Sequence, residues 1–195
     1  MNDDQAYRVA SNFGSLISAY SNASAQAYLT TNYTDYTDSV IELINSGCNG
    51  PEVLGEATFA GLEAFEAGQG SQPNITFELL NVWYDVVNPA STSSWLIDMI
   101  RHNCETVTLR WEGPMPNPDP STAPPVQEAV RGIIVLETTF EGWDATEPFK
   151  INTSYSEFNS GAWLVDLGVF VPQNCSSPVK RDQVKRALPV MMRRH

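Results

Sequence analysis

Histidine is almost missing from this 195-residue chain; His102 and the C-terminal His195 are its two imidazoles. A serine or cysteine nucleophile is usually activated by a histidine, so nucleophilic catalysis of the hydrolase kind has little to draw on. Cysteine is scarce too, with three residues. The nearest Cys/His pair, His102 and Cys104, has no further ligands close by in sequence, which argues against a zinc site. No carboxylate spacing suggests another metal, and no cofactor is expected. Glycine-rich phosphate loops and the G-x-S-x-G elbow are absent. No apolar run approaches the roughly 20 residues of a membrane helix. Basic side chains are rare through residue 172, where 5 Lys and Arg face 22 Asp and Glu, a net −17. Such a body repels phosphate backbones, so nucleic acid is set aside as a partner.

What is present begins with sequons. Asn22, Asn32, Asn74, Asn152 and Asn174 each open an Asn-X-Ser/Thr acceptor. Five in so short a chain point to a secreted protein or a secretory-pathway lumen. "MNDDQAYRVA" is polar and holds no signal peptide, so a mature fragment is expected. In an oxidising compartment a Cys48–Cys104 disulfide is expected, with Cys175 either paired elsewhere or free. Residues 173–195 carry 6 basic residues and 1 acidic one. The organisation expected is one domain over 1–172 and a basic, disordered tail over 173–195. Lys180-Arg181, Lys185-Arg186 and Arg193-Arg194 in that tail are either processing sites or chance pairs.

Periodicity supplies the elements. Ala6, Val9, Ala10, Phe13, Leu16, Ile17 and Tyr20 recur with helical spacing, so residues 3–20 read as an amphipathic helix with Asp3 and Asp4 at its cap. A short helix over 22–29 follows. "NYTDYTDSVIELI" is rich in Tyr, Thr, Val and Ile and reads as a strand or hairpin. Residues 56–69 read as a helix ending at Gly68 and Gly70. The period then turns to two, giving strands over 75–87, 104–112, 131–141, 149–158 and 162–171, with a helical turn near Trp95 to Ile100. "GPMPNPDPSTAPP", with six prolines, is an exposed loop, and "NSGA" is a hairpin turn. Helices first and a mainly antiparallel sheet after make an α+β fold: a cone-shaped, strongly curved sheet with N-terminal helices packed on its concave face.

In that order, "VASNFGSLISAYS", "YTDYTDSVIELINSGC", "CETVTLRW", "RGIIVLET" and "YSEFNSGAWLVDLGVF" resemble the nuclear-transport-factor-2-like superfamily. That group includes ketosteroid isomerase, scytalone dehydratase and the SnoaL-like cyclases. The likeness is narrower to secreted filamentous-fungal members. The resemblance implies a site inside the cone, where a carboxylate base works with a Tyr, His or protonated-acid donor. Fungal relatives in polyketide pathways, including those that dimerise maleic anhydride units, imply one substrate class. The dehydratase pattern needs internal histidines that this chain lacks.

Candidate groups come from three stretches. In "YTDYTDS", alternation puts Tyr33, Asp35 and Thr37 on one face and Tyr36 and Asp38 on the other. They are either site groups at the cavity mouth or a strand cap. "NVWYDVV" puts Trp83 and Asp85 on one face, as a base in an aromatic pocket or a strand-end charge in water. In "YSEFNSGAW", Tyr155, Glu157 and Asn159 share a face opposite Ser156 and Phe158. Either they enter the cavity as an acid–base pair, with Tyr155 the first to reach it, or the stretch is a solvated hairpin. Asp35, Tyr36, Asp38, Asp85, Tyr155 and Glu157 are thus the catalytic candidates. Tyr33, Trp83, Trp111, Asn159 and Trp163 are candidates for binding substrate. The function expected is cofactor-free isomerisation, dehydration or cyclisation of a small organic molecule. A non-catalytic binder or effector, or a structural homodimer with a filled cone, are the other readings.

Overall fold

The computed structural model describes residues 1–46, 52–72, 74–84, 105–114 and 129–170. The chain opens with α1 (Asp3–Ser18) and α2 (Asn22–Tyr28), runs through β1 (Leu29–Tyr36), and turns into α3 (Asp38–Asn45). A two-residue β2 (Phe59–Ala60) leads to α4 (Leu62–Gln69). Then come β3 (Glu78–Tyr84), β4 (Glu105–Pro114), β5 (Ala129–Phe140), β6 (Phe149–Phe158) and α5 (Ser160–Asp166). The six strands form one curved, unclosed sheet in the order β2-β1-β6-β5-β4-β3. Neighbours are antiparallel except β1 and β6, which run parallel. The mixed α+β cone expected from sequence is the observed architecture.

α1 crosses the concave face over β3 and β4. Its buried stripe of Ala6, Val9, Ala10, Phe13 and Leu16 packs with Val107, Leu109, Leu136 and Ile151 from the strands. Each large apolar side chain so buried contributes about 1.5–3 kcal/mol. Asn2, rather than Asp3 or Asp4, is the N-cap, in a reciprocal capping box with Gln5. Arg8 pairs with Glu147 at 2.7 Å, and Asn12 donates to the same carboxylate at 3.0 Å. These contacts fasten α1 to the β5–β6 turn.

Three readings from periodicity are corrected. Residues 38–45 are helical rather than extended, because Val40, Ile41, Leu43 and Ile44 also fit a helical stripe and the chain turns off the sheet at Thr37. The helix read over 56–69 begins only at Leu62. Gly61, at φ 102°, breaks the chain there, and Phe59–Ala60 pairs with β1 instead. Residues 160–166 form α5 rather than a turn and strand; Trp163 and Leu167, one helical turn apart, both face inward. The strand over 149–158 matches β6. The Trp95–Ile100 turn, the proline-rich loop beyond Pro114, Cys48, Cys104 and the 173–195 tail lie outside the described residues.

The outer face carries a row in register across five strands: Tyr36, Tyr155, Val135, Thr108 and Trp83. Tyr36 and Tyr155 stack there at 5.3 Å. Where β4 passes the segment before β3, backbones come so close that a Cβ at Gly113 would lie 1.9 Å from the Thr76 carbonyl oxygen. Gly113→Ala is therefore expected to cost about 3 kcal/mol, seen as a lower urea midpoint. A variant as stable as the parent would show that this approach is not held.

Candidate active site

The concave face encloses a cavity of about 560 Å³. Its walls are Phe13 and Ile17 from α1, Val40 and Leu43 from α3, Phe59 and Phe65 near α4, Trp111 from β4, Ile134 from β5, Phe158 from β6, and Trp163 from α5. Trp111 stacks on Phe77 at 4.9 Å, and its indole N–H lies over Gly132, where a Cβ would stand 2.6 Å away. That N–H has no hydrogen-bond partner among the described residues. Ile44 and Gln72 are lining residues that reach solvent and mark the rim.

Among the described residues, Asp35 is the one ionisable group in the lining. It is 6% exposed. The alternation of β1 turns Tyr33, Asp35 and Thr37 inward together, and all three are buried. Thr37 donates to Asp35 Oδ2 at 3.0 Å, and the Ser154 hydroxyl donates to Oδ1. The Tyr33 hydroxyl lies 2.5 Å from Ser154 Oγ and 3.4 Å from Asp35 Oδ1. With the Ser154 proton committed to Asp35, the Tyr33 proton is shared between Ser154 Oγ and, at longer range, Asp35 Oδ1. Ser154 points inward because the β5–β6 register shifts at Asn152, which inverts the alternation of β6.

Burial raises the Asp35 pKa above the usual carboxylate range, and the charge of Glu157 adds to the rise. The hydroxyls of Ser154, Thr37 and Tyr33 oppose it by stabilising the anion. Burial beside this carboxylate also pushes the Tyr33 phenol well above its ordinary value. Asp35 is thus a desolvated carboxyl whose protonated form is favoured more than it would be in water. Gln69, Gln72 and Ser156 supply the neutral polar groups of the lining, beside Thr37.

Of the candidates, the structure brings Asp35, Trp111 and Trp163 to the cavity and sets Tyr33 directly behind Asp35. Tyr155, expected to reach the cavity first, lies on the outer face with Tyr36 because Ser156 and Phe158 take the inward positions. Glu137 is the first cause of the raised pKa of that exposed phenol. Glu157 is exposed and caps α3, accepting from Asp38 N at 3.3 Å, Ser39 N at 3.2 Å and Ser39 Oγ at 2.5 Å. Asp38 accepts from Gly55 N at 2.7 Å and so holds the 52–58 segment. Trp83 is half exposed on the outer face. Asn159 accepts from Arg131 N at 2.6 Å and bridges to β5. Asp85 lies outside the described residues. Sequence reasoning passed over Ser154, Ser156 and Gln69. Gln69 left a signal: it follows Leu62 and Phe65 on the inward stripe of α4, where an apolar residue is the rule.

The NTF2-like domain family matches residues 1–88 and 86–170. No curated protein matches. Among solved structures, the S. rosetta CaMKII hub superposes with a TM-score of 0.53 and 9% identity, over 80% of this chain and 95% of that one. A hypothetical protein of ketosteroid-isomerase-like fold from Catenulispora acidiphila, in complex with trimethylamine, gives 0.51 and 10%, over 84% and 97%. The beta subunit of benzoate 1,2-dioxygenase from Burkholderia mallei gives 0.50 and 10%, over 87% and 98%. At such identities the likeness is one of fold, and three such different proteins do not fix an activity.

The raised Asp35 pKa sets a sign. The folded chain binds this proton more tightly than the unfolded one, so wild-type stability falls as pH rises from about 4, the unfolded Asp value, through the folded midpoint. Asp35→Asn carries no such charge. Its stability relative to wild type is expected to grow over that window, as measured by urea denaturation at a series of pH values. A flat difference would mean that Asp35 is not desolvated.

Proposed function

The chain belongs to the NTF2-like domain family, and on that premise we propose that its cavity takes a small, largely apolar, uncharged organic molecule on which Asp35 moves a proton. The observation that carries this is a buried carboxylic acid, the one ionisable group among the described residues of a lining that is mostly aromatic and aliphatic. A cavity of this volume suits a drug-sized ligand. Four aspartates and glutamates were candidates for the interior, and one buried acid is what proton transfer needs. The hollow itself disfavours the structural-dimer reading, which calls for a filled cone.

The chemistry proposed is removal of a proton beside the carbonyl of a neutral, polyketide-like ketone: the proton returns at another carbon in isomerisation, leaves with a β-hydroxyl as water in dehydration, or goes to the oxygen of a second carbonyl that the enolate carbon attacks in cyclisation. Asp35 serves as base, and its raised pKa brings it nearer the pH of use. An enolate oxygen forming in the cavity needs a donor, and the Gln69 and Gln72 amides and the Ser156 hydroxyl are lining groups of that kind. Tyr33 holds Asp35 through Ser154 and does not itself line the cavity. A second reading, binding without catalysis, is favoured by one observation: both Asp35 oxygens already accept from protein hydroxyls.

Deuterium exchange separates the two. Wild-type protein in D2O with a panel of neutral cyclic ketones is expected to exchange α-protons, followed by proton NMR. Asp35→Asn is expected to slow this about 10²–10⁴-fold. Exchange no faster than buffer across the panel, with binding retained, would leave the non-catalytic reading.

We also propose passage through an oxidising secretory compartment, resting on the sequons. Asn22, Asn32 and Asn74 are exposed, whereas Asn152 accepts from Thr30 at 3.1 Å between two strands. Protein secreted from a eukaryotic host is expected to lose mass on N-glycosidase treatment, with Asn32 modified and Asn152 bare on peptide mapping. A mass unchanged by the enzyme would remove this reading.

A further inference from the structure

A helix that starts with threonine at its N-cap normally uses that hydroxyl to accept from its own first-turn amides. α3 does not. Thr37 is its N-cap, yet the Thr37 side chain accepts no cap hydrogen bond. The hydroxyl turns instead toward the cavity and donates to Asp35 Oδ2 at 3.0 Å. The free amides of Asp38 and Ser39 are met from another element, by the Glu157 carboxylate on β6. Ser39 Oγ donates to the same carboxylate at 2.5 Å and accepts from the Phe158 N–H at 3.0 Å. Thr58 holds the Thr37 backbone from the far side, accepting its N–H at 3.0 Å.

We infer that Glu157 is a positioning residue for Asp35: by capping α3 from β6, it releases the Thr37 hydroxyl from capping and leaves it to donate to the site acid. The inference rests on reading Asp35 as the group that handles the proton. Without an acceptor at 157, the Ser39 amide is an orphan donor, and Thr37 Oγ1 is the acceptor built into the N-cap position. The hydroxyl is then drawn to its own helix, and Asp35 loses a hydrogen bond that favours its charged form. Glu157 also acts on Asp35 through its charge, in the direction that favours the protonated acid. The two effects separate by substitution. Glu157→Gln keeps the acceptor and removes the charge. Glu157→Ala removes both.

Among the described residues, the titratable groups that bear on Asp35 are Tyr33 on its own strand and Glu157 on β6. The lining residues from α1, α3, α4, β2, β4, β5 and α5 are uncharged. The Asp35 midpoint, read by carbon-detected NMR of the side-chain carboxyl, therefore reports the Thr37 bond directly and needs no substrate. The expected result is a higher midpoint in Glu157→Ala than in Glu157→Gln, and a gap that closes when both are placed on Thr37→Val. A structural role alone would lower stability in both variants without a gap that depends on Thr37. Equal midpoints, or a gap that persists with valine at 37, would overturn the inference. Where Glu157→Ala does not fold, Glu157→Thr takes its place, being suited to a strand and too short to reach α3. Failure of the proton-transfer reading shows separately, as α-proton exchange that Asp35→Asn leaves unchanged.

Discussion

One carboxylate, buried among hydroxyls at the wall of a largely apolar hollow, organises the cavity side of this fold. An ionised carboxylate taken out of water costs several kcal/mol. A hydrogen bond to a charged group returns about 1.5–3 kcal/mol. Asp35 has such bonds from Ser154 and Thr37, with the Tyr33 hydroxyl at 3.4 Å. The two sides are of similar size, and burial keeps the upper hand. Fewer hydroxyls would leave the acid permanently neutral, and an open site would leave it permanently ionised. The balance between the two is what sets how readily Asp35 gives up its proton.

The sheet acts as a partition between two chemistries. On β6, Ser156 and Phe158 line the hollow and Ser154 lies buried against Asp35, while Tyr155 and Glu157 face out. The outward carboxylate is not idle, because it holds the helix that walls the hollow. Inner and outer groups are therefore linked through α3, whose first turn touches Glu157 and whose next turns present Val40 and Leu43 to the cavity.

Much of this was legible in the residues. The twofold alternation that groups Tyr33, Asp35 and Thr37 needs no tertiary knowledge, and that face is the one the structure buries. β4 and β5 announce themselves through runs of β-branched residues at 106–108 and 133–135. What alternation does not say is which face is inside. Tyr155 and Glu157 form as regular a stripe as Tyr33 and Asp35, and the register shift at Asn152 decides their direction only once β5 is paired. The short apolar runs at 38–45 and 160–166 fit either period, and packing over the cavity, not propensity, makes them helices. Ser154 was invisible because a serine in a Thr/Ser-rich strand carries no mark of its partner 119 residues away.

That separation has a kinetic side. β1 and β6 are parallel neighbours, and the Tyr33–Ser154 contact joins residues 121 apart in sequence. Bringing such distant stretches together is entropically expensive and slow compared with forming a helix or hairpin. The meander β3–β4–β5–β6 can assemble from shorter-range pairings, while the edge bearing Asp35 must find β6 across nearly the whole chain. Until it does, the carboxylate is hydrated and ordinary. The desolvated acid comes into being as a product of this long-range closure, so a nascent or partly unfolded chain carries the residue without its raised pKa.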